Sequence, residues 1–556
     1  MTKQYECLNP DCPIYKRGEN FDHPSCYDCP YKVINLSSVE SNNSETSSLN
    51  ESKRIKSEFA TFQNDTLSPL ENAEKRKVPK LLLSIAIPLV ILIITGVFLL
   101  FSKLYSNDNG MNSNNNLALM KDKDTELLAT ISGSSTIGEK LMPALVKSYI
   151  TNRGGTNITE FYNTKELDIS IFFRLPDKKV IQEIRIVSKG SSTAFTDLEE
   201  KVCEIGMASR KIKKEEDEKI SSSGLGNLSN TENETIIGLD GVSIIINNGN
   251  NINDLSKNDI QDIFSGKITN WSKLGGHSGK IKIYSRGESS GSYDFFMNTI
   301  MDKTPLSKNI EVKDCNNDIS DAVAANLDGI GYVSMGYIGS AKPIAISDGQ
   351  SEFLLPTPFS IATEEYILSR RLYLYSSPEN SNEFTDGLIS FANTDEGQAI
   401  LTESDYISNN VFPLTVGQIP TLKWTDKKLK KSFDTILSRA DSRLSVNIRF
   451  QTDKSNLDKK SIDDLNRVVD FLNRSQYLNY KVALIGYTDS VGDKAQNIEL
   501  SKERAQFVSD QLIELNSGLK KRIEIYGFGS EQPISTNDTD KGKNKNRRVE
   551  IWLIRN

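Results

Sequence analysis

The feature that most constrains this chain is an uncharged apolar run, LLLSIAIPLVILIITGVFLLF, at residues 81–101. A helix rises 1.5 Å per residue, so this run spans about 31 Å, which matches the hydrocarbon core of a bilayer. A buried soluble helix or a cleaved signal peptide fits less well, because the run is long, carries no charge and starts late. Lys103 alone follows closely, whereas four cations precede the run: Lys75, Arg76, Lys77 and Lys80. The positive-inside rule therefore predicts one transmembrane helix, a cytoplasmic N-terminus and an exported remainder.

The chain is long enough, at 556 residues, for about three to four domains. Its formal charge of −7 argues against a general nucleic-acid binder. Polar low-complexity sequence predicts a disordered cytoplasmic linker at 34–80 and a flexible linker at 102–127. Cys203 and Cys315 of the exported part could form a disulfide, which spacing alone does not establish. The remaining predicted units are a small domain at 1–33, an α/β domain at 128–418 and a second α/β domain at 436–556.

The N-terminal segment is rich in cysteine and proline. Four of the six cysteines lie there, in two close pairs: Cys7 and Cys12, then Cys26 and Cys29. Four thiolates can close a tetrahedral zinc site, and so short a segment needs such a cross-link to fold. We therefore predict structural zinc in a small zinc-ribbon-like fold, with an unidentified cytoplasmic partner. The wide spacing of the first pair leaves open free structural or redox cysteines, and His23 is a competing ligand.

Three Gly/Ser-rich segments of the exported α/β region share one layout, since each follows an extended run and opens a helical pattern. They are SGSSTIG (132–138), KGSSTAF (189–195) and RGESSGSYDFF (286–296). A helix N-terminus favours anions, glycine permits close backbone approach, and hydroxyls donate hydrogen bonds. Arg286 adds a planar cation suited to oxyanions. Any single loop of this kind is an ordinary helix cap, but the three together favour convergence on one tetrahedral anion.

Further segments carry a resemblance to a known family. They are ASRKIKKEE (208–216), GLDGVSIIIN (238–247), LSKNDIQDIFSGKITNWSKLGG (255–276), RRLYLYS (370–376) and EGQAILTESDYI (396–407). With the three loops, they resemble the phosphate-binding proteins of phosphate ABC transporters. The resemblance implies a bilobal fold of the periplasmic-binding-protein type that closes around its ligand.

The resemblance also implies a phosphate site built from three loops and one arginine. The residues carried over are Ser135, Thr136, Ile137 through its N–H, Ser191, Arg286, Ser290, Gly291 and Ser292. In the best-known members an aspartate accepts a hydrogen bond from the protonated phosphate. This chain has Arg210 in the matching ASR segment. The sequence therefore leaves three alternatives open: a phosphate site, a site for another oxyanion, and a site that no longer binds an anion.

The C-terminal region alternates strand and helix patterns and ends in two strands, which predicts a βαβαββ domain. Asp489 lies just after a strand and Arg504 lies in the next helix. Such a pair suits a zwitterionic ligand, although the two could equally pair with each other as scaffold. Two segments carry a second resemblance: GYTDSVGDKAQNIELSKERA (486–505) and NRRVEIWL (546–553).

These segments are similar to the OmpA C-terminal-like domain, which binds peptidoglycan through diaminopimelate of the stem peptide. The resemblance implies that Asp489 and Arg504 grip diaminopimelate, with Asn497 and Arg547 supporting them. The chain departs from the family at Tyr487, where histidine is usual, and has Lys543 where arginine is common.

The sequence as a whole predicts a single-pass inner-membrane protein whose C-terminal domains are periplasmic. We expect it to bind phosphate or a similar oxyanion, for capture or sensing, and to bind peptidoglycan. We expect a binding protein rather than an enzyme, because the exported sequence contains no evident metal-ligand cluster or nucleophile–base pair. The alternative is a structural tether between membrane and wall whose anion site is vestigial.

Overall fold

The structure is a computed structural model and describes residues 5–7, 33–35, 125–163, 168–230, 233–288, 290–419, 424–450 and 457–555. The chain divides into two units, Met1–Asn115 and Asn116–Asn556. In the first unit, strands β1 (Tyr5–Cys7) and β2 (Val33–Asn35) pair antiparallel, with Cys7 opposite Val33. This pairing brackets the segment that contains the other three cysteines of the predicted zinc site. Those cysteines and the predicted transmembrane helix lie outside the described residues.

Within the described ranges, no helix combines the length and the apolar character needed to cross a bilayer. In the same ranges, no group of three or more His, Cys, Asp and Glu side chains could hold a metal ion. Cys203 and Cys315 are both free thiols.

The second unit alternates strands and helices from Glu126 onward. Its strands are β3 (Glu126–Gly133), β4 (Thr156–Asn163), β5 (Asp168–Arg174), β6 (Gln182–Val187), β7 (Ile205–Ala208), β8 (Glu234–Ile246), β9 (Asp254–Ser256), β10 (Lys282–Arg286), β11 (Ile310–Lys313), β12 (Gly329–Ser334), β13 (Lys342–Pro343), β14 (Ala345–Ser347), β15 (Ser369–Tyr375), β16 (Pro413–Thr415), β17 (Ala440–Arg449), β18 (Lys481–Gly486), β19 (Ile523–Gly527) and β20 (Arg548–Ile554). Its α-helices are α1 (Ser135–Gly138), α2 (Leu141–Asn152), α3 (Ser191–Glu199), α4 (Lys214–Ile220), α5 (Lys257–Phe264), α6 (Gly291–Thr299), α7 (Asn316–Ala325), α8 (Pro358–Ala362), α9 (Glu383–Ala392), α10 (Asp395–Glu403), α11 (Lys427–Leu437), α12 (Lys459–Leu472), α13 (Lys494–Leu515) and α14 (Asp540–Asn546).

The α/β region has two lobes, as the first resemblance implies. One sheet runs through both in the order β11-β10-β12-β8-β15-β7-β3-β6-β5-β4. Strand β8 pairs with β12 in the second lobe and with β15, and β15 also pairs with β7 in the first lobe. Strands β8 and β15 therefore cross from one lobe to the other. Each lobe has its own apolar core, one containing Ile131 and Ile184 and the other Ile244 and Phe264.

The topology explains where the Gly/Ser loops lie. Strand β3 runs parallel to β6 and β7, and β10 runs parallel to β11 and β12. The chain leaves the carboxyl end of β3 into α1 and the carboxyl end of β10 into α6. Ligand crevices in α/β sheets form beyond such strand ends, where helix N-termini also lie. The chain likewise leaves the carboxyl end of β6, which is parallel to β3, into α3. All three loops are therefore at positions suited to an anion.

The C-terminal domain contains the predicted βαβαββ succession, with β17, α12, β18, α13, β19 and β20 in chain order. Its sheet has the order β16-β17-β20-β18-β19. Strand β16 and helix α11 precede the predicted boundary at 436 and add to this domain. Leu465 and Val468 of α12 pack into an apolar core with Ile551 of the sheet, because every third or fourth residue of α12 is apolar.

The C-terminal domain packs against the second lobe through largely buried ion pairs. Arg371 of β15 contacts Glu364 of the second lobe at 2.8 Å and Asp458, the N-cap of α12, at 2.7 Å. Arg449 of β17 donates to the same Glu364 at 2.8 Å and to the carbonyl of Thr363 at 2.8 Å. Burial alone would raise the pKa of Glu364, but Arg371 and Arg449 hold it well below its usual value. Glu364 therefore joins the two domains as a carboxylate.

A second set of contacts lies beside the first. Arg443 of β17 forms an ion pair with Glu365. Asn447 donates to Glu365 at 3.0 Å and to the carbonyl of Thr363 at 3.1 Å. The carboxylate of Asp348 accepts a hydrogen bond from Ser535 Oγ at 2.7 Å. The relative position of the C-terminal domain and the second lobe is thus held at several separate points.

Candidate functional site

The three predicted loops meet around Gly291, the first residue of α6. A Cβ atom added to Gly291 would lie 3.1 Å from the hydroxyl oxygen of Ser209, 3.7 Å from that of Ser191 and 3.8 Å from that of Thr136. These three hydroxyls belong to different segments of the first lobe, whereas Gly291 belongs to the second. The predicted convergence of Thr136, Ser191 and Gly291 is therefore seen in the structure, and glycine leaves the room for it.

Two of the hydroxyls are fixed by each other. Ser191 begins α3 and is buried, and its Oγ accepts a hydrogen bond from the N–H of Ser209 at 3.0 Å. The hydroxyls of Ser191 and Ser209 lie 3.2 Å apart. Ser209 comes from the ASR segment of the sequence pattern, directly before Arg210, and contributes a hydroxyl to this meeting point.

Arg210, the departure noted in the sequence, is neutralised locally. Its guanidinium donates to both carboxylate oxygens of Glu216, at 2.6 and 2.8 Å, and lies 5.0 Å from the ring centroid of Phe195. Desolvation alone would raise the pKa of Glu216, but Arg210 helps to hold it below its usual value. Arg210 therefore forms an ion pair within the first lobe and does not take the role of an acidic phosphate ligand.

An enclosed cavity lies on one side of this meeting point. It has a volume of about 10 Å³, which is the room for about one water molecule. Five predicted residues line it: Ser135, Thr136, Arg286, Ser290 and Ser292.

Arg286 is the strongest sign of an anion site in this cavity. It ends β10, and among the described residues its guanidinium has neither an ion pair nor a hydrogen bond, with Nε buried. Oδ1 of Asn316, which also lines the cavity, is a second buried polar atom without a partner there. Desolvation raises the pKa of Glu139, another lining residue, while Arg286 opposes that rise. Buried polar atoms left without partners are costly unless a ligand satisfies them.

Other predicted residues have partners of their own. The hydroxyl of Ser290, the N-cap of α6, accepts from the N–H of Ser292 at 3.2 Å. The N–H of Ile137 donates to the carbonyl of Ser134 at 3.1 Å, so this amide is already engaged in the first turn of α1. Ile137 is fully buried and contributes packing as well as backbone.

Arg370 and Asp240, which were not among the predicted site residues, form the centre of the site. They lie opposite each other on the crossing strands β15 and β8, and both are almost completely buried. Arg370 donates from Nε and Nη2 to Asp240 Oδ2 at 2.9 and 2.6 Å. It also reaches the hydroxyls of Thr136 at 3.2 Å and Ser292 at 3.1 Å. One guanidinium thus orients site residues of both lobes.

The sequence contained a sign of this pair that could have been used. GLDGVSIIIN is an extended apolar segment interrupted by Asp240, and RRLYLYS is one that begins with Arg370 and Arg371. A charge within a strand that is otherwise buried needs a partner nearby. That argument predicts an arginine partner for Asp240, but it does not select Arg370 over Arg371 and does not predict the contact with Thr136 and Ser292.

In the C-terminal domain, Asp489 pairs with Arg547. The distance from Arg547 Nη1 to Asp489 Oδ2 is 2.7 Å, and Asp489 Oδ1 accepts from the N–H of Val491 at 3.0 Å. Asn497 donates to the carbonyl of Val491 at 3.1 Å, which closes the same loop. Arg504 is buried beneath, with its guanidinium 5.4 Å from the ring centroid of Phe450. The ion pair of Asp489 is thus with Arg547 rather than with Arg504.

Comparison with known proteins assigns these two regions. Residues 177–394 match the PBP superfamily domain, and residues 449–547 match the OmpA family. The chain carries a PBP domain followed by an OmpA domain. The matched part of the PBP domain includes Ser191, Arg286 and the Ser290–Ser292 loop, but starts after the first loop.

Individual relatives of the PBP domain are named for phosphate. The phosphate-binding protein PstS of Staphylococcus epidermidis is 32% identical over 203 residues, which are 34% of this chain and 60% of that protein. PstS of Bacillus subtilis is 24% identical over 320 residues, 57% of this chain and 93% of that protein. The crystal structure of an ABC-type phosphate transport receptor from Vibrio cholerae is 23% identical and covers 50% of this chain and 98% of that one, with a TM-score of 0.39. The chain spans about 60% of the length of the staphylococcal relative.

The matched region of the OmpA domain contains all four residues predicted to hold peptidoglycan: Asp489, Asn497, Arg504 and Arg547. Three of them, Asp489, Asn497 and Arg547, meet around the loop that follows β18. Their geometry gives a partly exposed carboxylate held by a cation, which can take part in recognising an ammonium group.

Proposed function

We propose that the PBP domain binds inorganic phosphate or a similar tetrahedral oxyanion between its lobes. The observation that carries this proposal is the meeting of three hydroxyl-bearing loops beside the guanidinium of Arg286, which has no ion pair or hydrogen bond to any residue that the structure describes. A guanidinium and several hydroxyls together can donate hydrogen bonds to most oxygens of one tetrahedral ion. The phosphate-binding names of the relatives support this choice of anion.

In this proposal the residues have distinct roles. Arg286 supplies the main positive charge, while Ser135, Ser290 and Ser292 donate hydroxyls from opposite lobes. Thr136 and Ser292 are oriented by Arg370, whose own charge is balanced by Asp240. Residues from both lobes contribute, so the ion binds best when the lobes are together.

Calorimetric titration of the purified full-length chain with phosphate and sulfate tests this function. Arg286→Ala should weaken phosphate binding roughly 10- to 100-fold, because a charged hydrogen-bond donor is lost. The matched control is Arg153→Ala, which removes a guanidinium paired with Glu383 on the first-lobe surface at 3.2 Å. Equal affinity of wild type and Arg286→Ala would contradict the site. No heat with either anion would favour a tether with a vestigial anion site.

We further propose that the OmpA domain binds peptidoglycan through diaminopimelate, with Asp489 accepting from its ammonium group and Arg547 holding Asp489 in place, while the buried Arg504 packs beside Phe450. Asp489→Asn keeps the shape but removes the charge, and should reduce the fraction of full-length protein that sediments with purified peptidoglycan several-fold. The control Asp470→Asn changes an exposed carboxylate of α12. Sedimentation of Asp489→Asn at the level of wild type would reject this assignment.

For the whole chain we propose phosphate capture or sensing at the inner membrane. The apolar run at 81–101 would anchor it, residues 1–33 would hold structural zinc in the cytoplasm, and both described domains would be periplasmic. Protease treatment of intact and permeabilised spheroplasts tests the topology, since both domains should be cleaved without permeabilising the inner membrane.

Metal analysis of the reduced full-length chain should find about one zinc ion per chain.

A further inference from the structure

The anion loops also border a second, larger space that is formed by two domains. A cleft of about 360 Å³ lies between the lobes, with Ser191 and Ser209 on one side and Gly291 and Phe295 on the other. We call it the interlobe cleft. Lys541 also lines it, and this residue belongs to α14 of the OmpA domain. A residue outside the PBP domain therefore lies in the wall of the interlobe cleft.

Lys541 differs from the other cations that line the interlobe cleft. Each of the others has a carboxylate partner within 3.5 Å, in the pairs Arg210–Glu216, Lys211–Glu234, Arg370–Asp240 and Arg371–Glu364. Among the described residues, Lys541 has no ion pair and no hydrogen bond. Its charge is therefore the one least neutralised by a direct partner among those lining the cleft.

The position of Lys541 relative to the anion loops is set by an aromatic ring. Its Nζ lies 5.9 Å from the ring centroid of Phe295, and the guanidinium carbon of Arg370 lies 5.5 Å from the same centroid. Phe295 belongs to α6, whose first residue is Gly291. The ring of Phe295 is thus close to both Lys541 and Arg370, and Arg370 in turn orients Thr136 and Ser292 of the loops.

The contacts between the domains keep Lys541 at the cleft. Asp348 of the second lobe holds Ser535, five residues before α14 begins, and Gln350 donates to Asp538 at 2.8 Å. The side chain of Thr539 then caps the helix by accepting from the N–H of Gly542 at 3.1 Å. A lysine at the second position of this helix is therefore not free to move away with its domain.

We propose that Lys541 recruits oxyanions into the interlobe cleft, so that the PBP and OmpA domains together form one composite anion site. The proposal rests on the proposed phosphate binding. Burial and the charge of Lys257 lower the pKa of Lys541, and Glu364 and Asp302 oppose this shift. A positive charge without a direct ion-pair partner beside the route to a ligand attracts an anion before it is bound and acts mainly on the association rate. The charge is the active feature, and packing of the side chain against Phe295 is secondary.

Rapid filtration with radiolabelled inorganic phosphate on the purified full-length chain tests this role. Lys541→Met should lower the association rate about two- to fivefold and leave the dissociation rate nearly unchanged. Lys541→Arg should restore the rate because it keeps the charge. The difference between wild type and Lys541→Met should shrink as salt rises, because salt screens an exposed charge.

Lys543→Met is the matched control, since Lys543 lies on the same helix and is 3.8 Å from its own partner Asp540. It should bind phosphate at the wild-type rate. Equal association rates for wild type and Lys541→Met, or an equal loss in Lys543→Met, would overturn the role of Lys541 and leave phosphate binding intact. Absence of phosphate binding by the wild type would instead overturn both proposals.

Discussion

The pair of Arg370 and Asp240 shows how much depends on two residues. Both side chains are at most 2% exposed, so neither charge is compensated by water. The pair also contacts Thr136 from one lobe and Ser292 from the other. A buried charge that loses its partner is strongly destabilising, whereas replacing both charges can be tolerated. The stability of the crossing strands and the geometry of the anion loops are thus linked at this point.

Arg370→Met should lower the free energy of unfolding by about 3–5 kcal/mol, because Asp240 is left buried and unpaired. The measurement is urea denaturation followed by circular dichroism. The double variant Arg370→Met/Asp240→Leu should recover part of this loss. A double variant that is less stable than the single one would show that the pair is not the cause.

At the scale of an element, α14 meets the second lobe with cationic side chains. Lys545 is 9% exposed, and burial lowers the pKa of its ammonium group to about 7, helped by Arg449 and Lys541. Glu364 and Asp348 oppose this shift from the second lobe. The ordinary pKa is 10.5, so between pH 7 and 10.5 the unfolded chain holds a proton that the folded chain lacks. Stability therefore rises with pH across this window.

Chemical denaturation at pH 7, 8 and 9 checks this effect. The wild type should gain stability by up to about 1 kcal/mol per pH unit in this range. Lys545→Met should be more stable than wild type at pH 7 and should show a flatter profile. An unchanged slope in Lys545→Met would show that another group titrates. Lys543→Met on the same helix serves as control and should keep the wild-type slope.

At the scale of the molecule, two domains of different families are joined by shared carboxylates. Glu364 is in contact with both Arg371 of the PBP domain and Arg449 of the OmpA domain. The OmpA domain is therefore packed against the second lobe by these contacts and is not joined to it by a flexible linker alone. If the OmpA domain binds peptidoglycan as proposed, it would hold the second lobe in place. Closure of the PBP domain around a ligand would then move the first lobe.

Glu364→Gln should weaken this junction by leaving Arg371 and Arg449 without their shared partner. Scanning calorimetry of the full-length chain should show the PBP and OmpA transitions separating, with the earlier one several degrees below the wild-type transition. The control Glu524→Gln alters a carboxylate paired with Arg439 at 2.8 Å on the OmpA surface, where little change is expected. Joint unfolding of Glu364→Gln at the wild-type temperature would contradict the role of the junction.

Sequence reasoning reached most of the fold and about half of the site chemistry. Strand and helix patterns are local, so the alternation in both α/β regions and the βαβαββ order followed directly from them. Helix N-termini rich in Ser and Gly are also local, which made the loops at Ser135, Ser191 and Ser290 visible. The cysteine pairs and the apolar run at 81–101 gave clear predictions on residues outside the described ranges.

By itself the sequence determined the two α/β folds and located the three Gly/Ser-rich loops with Arg286 beside them, because each depends on short-range patterns. Only the tertiary structure decided which distant residues meet. Arg370 reaches Thr136 across 234 positions, and Lys541 reaches a cleft formed by another domain. Such contacts depend on strand order and domain packing, which sum many weak interactions across the whole chain. In the structure the loops therefore form a candidate site that is centred on Arg370 and bordered by the OmpA domain.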